Sequence, residues 1–495
     1  MTESDGIPLC MGTTAQFTAL RGLLEEATYT EAEICARQDQ PSIYDFRTLH
    51  EGRPASTVRD THDLLVRFFM DSKPVAASRT RKLLGAYMTT LLELGLLRHL
   101  PDGRLQATVL LYPTRGLYIV SDSFHARATG GVRGLRPDIV YPAITGGTRH
   151  FIDAIPDSPC DDFLELCAGT GIAALVASPH VRHAWAADIT ERSTRFAAFN
   201  AALNGIDNVT AVRGDLYEPV AGRTFDRIVA HPPFVPASRP RFIYRDGGND
   251  GEQITRRIIA DLPDHLRPGG LFVCTCAATD RGDATLEERV RSMLGARASE
   301  FDIIVVTRSV TDREAYCAGQ SARGRAREAK LLLRTFRALD VENLVLGTIA
   351  IVRHQRAANP MNVRRPVGGM TVGHAIEHVV RWDIAGRSPA ALNQLLDLRP
   401  AISPHVRRHI EQSATDDGWI LEQCQFSTDR PFPITLAPTD SGPDLLDHFG
   451  GRHTVRELAR RLRSSGRIPA TATDELFAEM VRSLLAGGFL EIREP

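Results

Sequence analysis

The chain has 495 residues, of which 43% are hydrophobic and 24% are charged, as expected for a globular protein of two or three domains. Its 59 basic and 60 acidic residues give a formal net charge of -1, which argues against a general grip on polyanions but leaves room for a local basic patch. No run approaches the roughly 20 apolar residues of a membrane helix, and the start "MTESDGIPLC" lacks the pattern of a signal peptide. Since no CxxC pair occurs among the eight cysteines, the sequence predicts a cytoplasmic protein without a disulfide frame or metal site.

Residues 1–112 are predicted to form a mainly helical domain. The segments "AQFTALRGLLEEA" and "STVRDTHDLLVRFFMD" carry apolar residues at helical spacing, and "LRHLPDGRLQATVLLYP" follows as a hairpin. Helices followed by a small hairpin are typical of a winged-helix-like domain. Because no dense Lys/Arg face accompanies the last helix, a packing role is favoured over DNA binding.

Residues 113–355 alternate short apolar runs with helical segments. The runs are "FLELCAG", "HAWAADI", "VTAVRG", "FDRIVAH", "GLFVCTC", "FDIIVVT" and "NLVLGTIAIVR". This alternation predicts an α/β domain with a largely parallel sheet covered on both faces. Residues 356–495 return to helical patterns, and their end, "ELFAEMVRSLLAGGFLEIREP", resembles "TTLLELGLLRHL" near the start. A second winged-helix-like domain is therefore expected at the C-terminal side.

The segment "ELCAGTGIAAL" places Gly169 and Gly171 between the first strand and its helix. Glycines permit a tight turn, and the helix N-terminus offers free N–H groups to a ligand. Asp188 ends the next strand, where a carboxylate can accept from ribose hydroxyls, and Asp215 follows the third strand. Asp188 could instead cap a helix, and Asp215 could be an ordinary turn residue. Together these positions favour a nicotinamide cofactor or S-adenosylmethionine at the carboxyl edge of the sheet.

The fourth strand, "FDRIVA", stops abruptly at His231, Pro232, Pro233 and Phe234. Two adjacent prolines cannot continue a central strand, because each lacks an N–H group and has a fixed φ. A rigid corner with an aromatic tip, called the proline corner below (residues 231–234), is therefore expected at the carboxyl end of this strand. The chemistry of a nicotinamide dehydrogenase offers no reason for such a corner.

In this order, "LELCAGTG", "AADIT", "RGDLYEP" and "HPPF" resemble the motifs of the class I S-adenosylmethionine-dependent methyltransferases. The closer resemblance is to the branch with an Asn-Pro-Pro-Tyr/Phe motif, which includes release-factor and ribosomal-protein glutamine methyltransferases and several RNA and DNA amino-methyltransferases. "YPAITGGTRHFIDAI" and "RDGGNDGEQITRRIIADLPDHLRPGGLF" extend the resemblance over about residues 115 to 355. It implies a Rossmann-like seven-stranded core between the two winged-helix-like flanks.

The resemblance also implies a role for each matching residue. The residues expected around S-adenosylmethionine are Glu165, Cys167, Gly169, Thr170, Gly171, Asp188, Ile189, Asp215 and Leu216. The proline corner, with His231, Pro232, Pro233 and Phe234, would hold the methyl acceptor, and Tyr141, Tyr244, Arg245 and Asp246 are expected beside it. The last three belong to the glycine-rich loop "FIYRDGGNDGE" (residues 242–252), which is expected to fold over the substrate as a lid.

Position 231 departs from the family, which has Asn where this chain has His231. In the family, the Asn side chain and the first proline carbonyl bind a planar NH₂ group. A neutral imidazole can accept one hydrogen bond or act as a base, so an acceptor that must lose a proton becomes favoured. His231 could also merely cap the strand. The loop acids Asp250 and Glu252 could pair with a cationic substrate or serve as helix N-terminal acids.

These considerations predict N-methylation of a small amino-acid-derived or natural-product substrate. RNA or a protein glutamine is the alternative acceptor, and a degenerate methyltransferase fold that binds nucleic acid as a regulator is a third hypothesis. The pair of histidines in "HAIEH" lacks the order of a zinc motif, and "RGRAREAK" is interpreted as a solvated helix face. The sequence does not predict the oligomeric state.

Overall fold

The computed structural model describes residues 6–45, 57–123, 136–237, 240–282, 284–355, 359–416, 418–437 and 444–493. The first five residues, where a signal peptide would begin, lie outside these ranges. No helix within the ranges is long and apolar enough to cross a membrane. All eight cysteines are free.

The N-terminal region packs five short helices against a small antiparallel sheet. The helices are α1 (Thr14–Glu26), α2 (Glu31–Gln38), α3 (Thr61–Leu65), continued by a π-helical turn (Val66–Met70), α4 (Ala77–Leu84) and α5 (Tyr87–Glu93). The strands β1 (Val75–Ala76), β2 (Leu97–His99) and β3 (Arg104–Ala107) pair in the order β1-β3-β2. Leu24, Phe69 and Leu91 are fully buried between them. The winged-helix interpretation stays a prediction.

A hairpin of β4 (Leu110–Thr114) and β5 (Leu117–Ser121) joins this region to the main sheet. Asn200, on a helix of the sheet domain, accepts from the Val120 amide at 2.7 Å and donates to the Val120 carbonyl at 3.1 Å. Asn200 is fully buried, so the contact fixes the hairpin firmly.

The central sheet has eight strands. They are β6 (Cys160–Leu166), β7 (Val181–Asp188), β8 (Val209–Arg213), β9 (Phe225–Ala230), β10 (Leu266–Arg281), β11 (Phe301–Asp312), β12 (Val341–Arg353) and β13 (Asn362–Pro366). Their order is β13-β11-β12-β10-β9-β6-β7-β8, with β6 to β10 parallel and β12 antiparallel to both its neighbours. The predicted α/β fold with a Rossmann-like sheet is confirmed. Strands β6 to β12 form the predicted seven-stranded core, and β13, which lies beyond the predicted boundary at residue 355, adds an eighth strand at its edge.

Helices cover both faces of this sheet. They are α6 (Gly146–Asp153), α7 (Ile172–Ala177), α8 (Glu191–Asn204), α9 (Gln253–His265) and α10 (Leu286–Met293). Two further helices, α11 (Arg313–Ala322) and α12 (Ala326–Ala338), form a hairpin between β11 and β12 with a small hydrophobic cluster of its own. Consecutive residues of β6 serve opposite faces: Phe163 joins the core shared with the N-terminal region, and Leu164 joins the core beneath α9 and α10. Single 3₁₀ turns lie at Ile43–Asp45, Ser178–His180, Glu218–Val220, Gly295–Glu300, Ala385–Arg387 and Leu446–His448.

The C-terminal region has its own hydrophobic core. Its helices are α13 (Val372–Val379), continued by a π-helical turn (Val380–Ile384), α14 (Pro389–Leu395), α15 (Val455–Ser464) and α16 (Asp474–Ala486). Its strands are β14 (Pro400–Ile402), β15 (Arg407–Thr415), β16 (Gly418–Thr428), β17 (Ile434–Leu436) and β18 (Leu490–Ile492), paired as β14-β18 and β15-β16-β17. Leu458, Phe477 and Val481 are buried at its centre.

Candidate active site

A cavity of about 950 Å³ opens at the carboxyl ends of β6, β7, β8 and β9. Because these four strands are parallel, the residues that follow them meet at one edge of the sheet. Nearly all of the predicted site residues line this cavity: Tyr141, Glu165, Cys167, Gly169, Thr170, Asp188, Ile189, Asp215, Leu216, His231, Pro232, Pro233, Phe234, Tyr244, Arg245 and Asp246.

The turn between β6 and α7 (residues 167–171, the glycine turn) is left-handed at three positions. Gly169 has φ +56, and a Cβ there would meet no atom within 4 Å, so this position opens into the cavity. Gly171 behaves differently, because a Cβ there would lie 3.0 Å from the Cβ of Ala197 and the residue does not line the cavity. The lack of a side chain at Gly171 lets α7 approach α8, and the ligand contact expected for this residue stays a prediction. Cys167 takes φ 56 without being glycine, a strained conformation at the cavity wall.

Glu165 lies inside β6, just below the glycine turn, and only 2% of it is exposed. Its carboxyl oxygens accept from the amides of Ala173 at 3.2 Å and Ala174 at 2.9 Å, in the first turn of α7. Burial raises the pKa of Glu165 to about 8, although these two hydrogen bonds favour the charged form. Glu165 therefore carries a proton over much of the neutral range in the free protein.

Asp188 ends β7 and binds the glycine turn to the start of α8. Its Oδ2 accepts from the Gly169 amide at 3.0 Å, and its Oδ1 accepts from the Thr190 amide at 2.9 Å. Burial raises the pKa of Asp188, while these hydrogen bonds oppose the rise. The N-cap of α8 is Thr190, whose hydroxyl accepts from the Ser193 amide at 3.0 Å. Asp188 is consequently not needed as a helix cap and keeps acceptor capacity toward the cavity.

Asp215 and Leu216 follow β8. The Oδ2 atom of Asp215 accepts from Nη2 of Arg257 at 2.8 Å, and Arg257 also lines the cavity from α9. Leu216 has φ 53 and is buried, so it forms an apolar part of the wall, whereas Ile189 after β7 is 49% exposed. Arg257 was missed in the sequence because nothing distinguishes it from the other charged residues on the exposed side of α9.

The proline corner begins directly after β9. The His231 ring lies between Phe151 of α6, at 5.1 Å between ring centroids, and Phe234, at 5.7 Å. Burial among these rings lowers the pKa of His231 to about 4. The imidazole is therefore neutral near pH 7, with one acceptor and one donor nitrogen, and it is a weak base there. The role of proton acceptor considered for His231 is not favoured by this environment.

The glycine-rich loop (residues 242–252) lies against the proline corner. The Val235 amide donates to the Arg245 carbonyl at 2.9 Å, and the Gly247 amide donates to the Val235 carbonyl at 3.0 Å. A Cβ at Gly247 would lie 2.5 Å from the Pro233 carbonyl oxygen, so only glycine permits this approach. Tyr244 of the loop stacks on Tyr141 with 4.8 Å between ring centroids, and the two tyrosines form one wall of the cavity.

The acids of this loop are paired inside the chain. Asp246 accepts from the backbone amides of Arg241 at 2.6 Å and Phe242 at 2.8 Å, which closes the loop on itself. The side chain of Arg245 donates to the same carboxylate at 2.9 Å.

Asp250 and Glu252 belong to a buried ionic network rather than to the cavity. Asp250 accepts from Arg256 at 2.6 Å and from Arg281 at 2.8 Å. Glu252, with a side chain 1% exposed, pairs with Arg289 at 2.5 Å. The pairing of these acids with a cationic substrate is therefore not supported. Their contacts instead anchor the loop where it enters α9.

Four charged residues that line the cavity are not among the predicted site residues: Asp138, Arg241, Arg257 and Arg325. Arg325, in the turn between α11 and α12, lines the cavity together with Arg245 and Arg257. It belongs to "RGRAREAK", which was interpreted as a solvated face, and only the tertiary fold brings it to the site. Of the two histidines in "HAIEH", His378 packs against the chain, since its Nε2 donates to the Leu485 carbonyl at 2.9 Å, whereas the side chain of His374 is 52% exposed. In the ranges that the structure describes, no group of three or more acidic, cysteine or histidine side chains is arranged to hold a metal.

Comparison with known proteins agrees with this geometry. The methyltransferase small domain family matches residues 142–304. A ribosomal protein uL3 glutamine methyltransferase of Bradyrhizobium diazoefficiens is 37% identical over 125 residues, which are 22% of this chain and 39% of the relative. A release factor glutamine methyltransferase of Gloeobacter violaceus is 30% identical over 22% of this chain and 43% of the relative. A putative protein N5-glutamine methyltransferase of Methanocaldococcus jannaschii is 32% identical over 28% of this chain and 71% of the relative.

The parallel sheet, with the glycine turn and the acids at its carboxyl edge, is the fold of an enzyme that binds a nucleoside cofactor. The chain belongs to the class I S-adenosylmethionine-dependent methyltransferases, in the branch of the glutamine methyltransferases. It spans less than half the length of the bacterial relatives described above, and its N- and C-terminal regions lie outside the matched family segment.

Proposed function

We propose that this chain methylates the side-chain amide nitrogen of a protein glutamine, with S-adenosylmethionine as methyl donor. The observation that carries the proposal is the position of the proline corner, which faces the same cavity as the glycine turn and Asp188. The names of the relatives support a protein glutamine over the small amino-acid-derived substrate that the sequence favoured. The internal pairing of Asp250 and Glu252 takes away the two loop acids that the sequence offered to a cationic small molecule.

The residues around the glycine turn fit S-adenosylmethionine. Asp188 would accept from the ribose hydroxyls, the open position at Gly169 admits a ligand close to the backbone, and Ile189 and Leu216 offer apolar surface to the adenine ring. Glu165 would face the methionine portion, where a neighbouring ammonium group would favour its charged form. When bound, the cofactor supplies an electrophilic methyl group on a sulfonium.

The proline corner would hold the acceptor amide. A neutral His231 accepts one amide hydrogen, and the carbonyl of Pro232, fixed by the ring of the next proline, accepts the other. Phe234 offers a ring face to the planar amide. Two acceptors and a stacking surface would fix the orientation of the nitrogen. Such positioning is the main contribution that a protein can make to an in-line methyl transfer. As the nitrogen–methyl bond forms and the sulfur–methyl bond breaks, the sulfonium becomes a neutral thioether and the nitrogen releases one of its two protons to solvent.

The cofactor assignment is tested by isothermal titration with S-adenosylmethionine. Asp188→Asn should bind roughly 10- to 150-fold more weakly, because a lost hydrogen bond to a charged group costs about 1.5–3 kcal/mol. Asp161→Asn is the matched control, since Asp161 lies at the opposite end of β6 with its side chain 73% exposed. If wild type and Asp188→Asn bound S-adenosylmethionine with equal affinity, the proposal that Asp188 accepts from the ribose hydroxyls would be refuted.

The acceptor is tested with methyl-labelled cofactor and fractionated cell extract. The proposal expects label in protein, and mass spectrometry should find one added methyl group on a glutamine side chain. Label that enters only small molecules or only RNA would refute the protein-glutamine proposal while leaving the cofactor assignment intact. A chain that binds no cofactor would refute the proposal as a whole.

A further inference from the structure

The hairpin of α11 and α12, inserted between β11 and β12, carries a row of cations. Arg327, Lys330 and Arg334 are spaced three and four residues apart on α12 and are exposed. Residues with this spacing lie on one face of a helix. Arg323 and Arg325 extend the row into the turn before α12. These five residues are called the basic ridge.

The ridge lacks acidic partners. Among the residues that the structure describes, Arg325 donates to the neutral side chain of Gln320 at 3.3 Å, and no ion pair involves the other four cations. Arg337, one turn further along α12, is different because it lies 3.5 Å from Glu314. The chain as a whole has a net charge of -1, so this concentration of unpaired positive charge is local.

The ridge leads to the cavity. Arg325 lines the cavity beside Arg245. Burial raises the pKa of Tyr316 on α11, and the positive charges of Arg245, Arg323 and Arg325 oppose the rise, as expected for three guanidinium groups near one hydroxyl. The exposed cations of α12 and the turn before it therefore include one, Arg325, that reaches the cavity.

We propose that the basic ridge binds the phosphodiester backbone of a nucleic acid strand next to the methyl-acceptor site. Arginine, which supplies four of the five cations, presents a planar fork that matches phosphate oxygens. From Arg327 to Arg334 the helix rises about 10 Å, the length of about three nucleotides at roughly 3.4 Å each.

An acidic protein surface fits the ridge less well than a nucleic acid. Protein interfaces are centred on a cluster of aromatic or aliphatic anchors. Beside these cations α12 exposes a single large apolar residue, Leu331, which is 45% exposed, so such a cluster is missing on this helix. The inference goes beyond the proposed function, which concerns the amide. A nucleic acid at the ridge means that the glutamine is presented by a protein associated with nucleic acid.

The test measures binding of the full chain to a short single-stranded RNA of mixed sequence across a series of NaCl concentrations. In Arg327→Ala/Lys330→Ala/Arg334→Ala, the slope of log affinity against log salt should fall in magnitude by about 2, since each phosphate contact contributes roughly 0.7. The matched control is Arg456→Ala/Arg460→Ala/Arg467→Ala, which removes the same charge from the C-terminal region and should leave the slope unchanged. Arg456 lies 3.5 Å from Asp397 and Arg467 lies 3.4 Å from Asp444, so both are already paired.

Other outcomes would overturn the proposal. Equal slopes for wild type and the ridge variant, or a loss confined to the control variant, would exclude the ridge as the binding surface. Polyglutamate that binds with the affinity and salt slope of RNA would indicate an acidic protein partner instead. A parallel series with single-stranded DNA identifies which strand is preferred, and either preference supports a phosphodiester ligand. S-adenosylmethionine affinity, titrated separately, should be the same in all three proteins, so failure at the ridge and failure of the proposed function are distinguishable.

Discussion

Substitution of His231 separates the two roles that its ring can have. His231→Phe keeps an aromatic ring between Phe151 and Phe234, where the wild-type centroid distances are 5.1 Å and 5.7 Å, but it removes both nitrogens. His231→Asn restores an acceptor and a donor on a smaller side chain. If the ring serves as a hydrogen-bond acceptor, Asn should retain most of the methyl transfer and Phe should lose much of it.

The size of the loss follows from the surroundings of the ring. An amide N–H left without a partner in a buried site costs about 1–3 kcal/mol. His231→Phe should therefore lower kcat/KM about 5- to 150-fold, at about 1.4 kcal/mol for each factor of ten. Since the loss concerns orientation of the acceptor, the affinity for S-adenosylmethionine should stay within about twofold of wild type.

The assay is the initial rate of transfer from methyl-labelled cofactor to the protein acceptor between about pH 5 and pH 9. Because burial lowers the pKa of His231 to about 4, its ring stays neutral over this range and contributes no rising limb near neutrality. A limb near pH 6.5 that is present in wild type and absent in His231→Asn would show that the ring accepts a proton in the reaction. If His231→Phe reacted at the wild-type rate, the proposed hydrogen bond from the acceptor amide to His231 would be refuted as well.

Two predictions concern stability. The folded pKa of Glu165 is about 8 against an ordinary 4.5, so the unfolded chain loses this proton first, and stability should fall as pH rises from about 4.5 to 8. Glu165→Gln should flatten that fall, and melting temperatures of the two proteins that stay parallel across the window would contradict the raised pKa. Gly247→Ala should lower the free energy of unfolding by about 1–3 kcal/mol, because the new Cβ would lie 2.5 Å from the Pro233 carbonyl oxygen. The control Gly319→Ala, in α11 where a Cβ meets nothing within 4 Å, should raise that free energy by roughly 0.5–1 kcal/mol in the same urea titration.

The parts of the site that could be predicted are those written in short local patterns. The glycine turn, Asp188 and the proline corner each follow an apolar run, and a parallel sheet brings the ends of such runs to one edge. The edge strand β13 could not be predicted, because its sequence "NVRRP" is polar and ends in proline. It pairs with a neighbour on one side only, where little apolar character is required.

The missed residues depend on tertiary contacts that no local pattern reveals. Phe151 reaches His231 from α6, and Arg325 reaches the cavity from an insertion more than 80 residues away in sequence from the proline corner. Gly171 satisfies a ligand-binding pattern, but its close packing against Ala197 is visible only in the folded chain. The charges of Asp250 and Glu252 suggested a possible pairing with a cationic substrate. In the fold, arginines from other elements neutralise both acids, which the sequence could not reveal.

The edge strand β13 bears on how this enzyme can be dissected. Its Arg364 donates to Asp280 at 2.7 Å and to Glu287 at 2.5 Å, two carboxylates that are otherwise enclosed by the sheet and α10. In a fragment that ends at residue 355, both acids would lack their counter-ion. The outer hydrogen-bonding edge of β11 would also be exposed to other molecules. A fragment for expression should accordingly retain the chain through Pro366. The edge strand β13 belongs to the sheet of the enzyme core, although it lies beyond the family segment at residues 142–304.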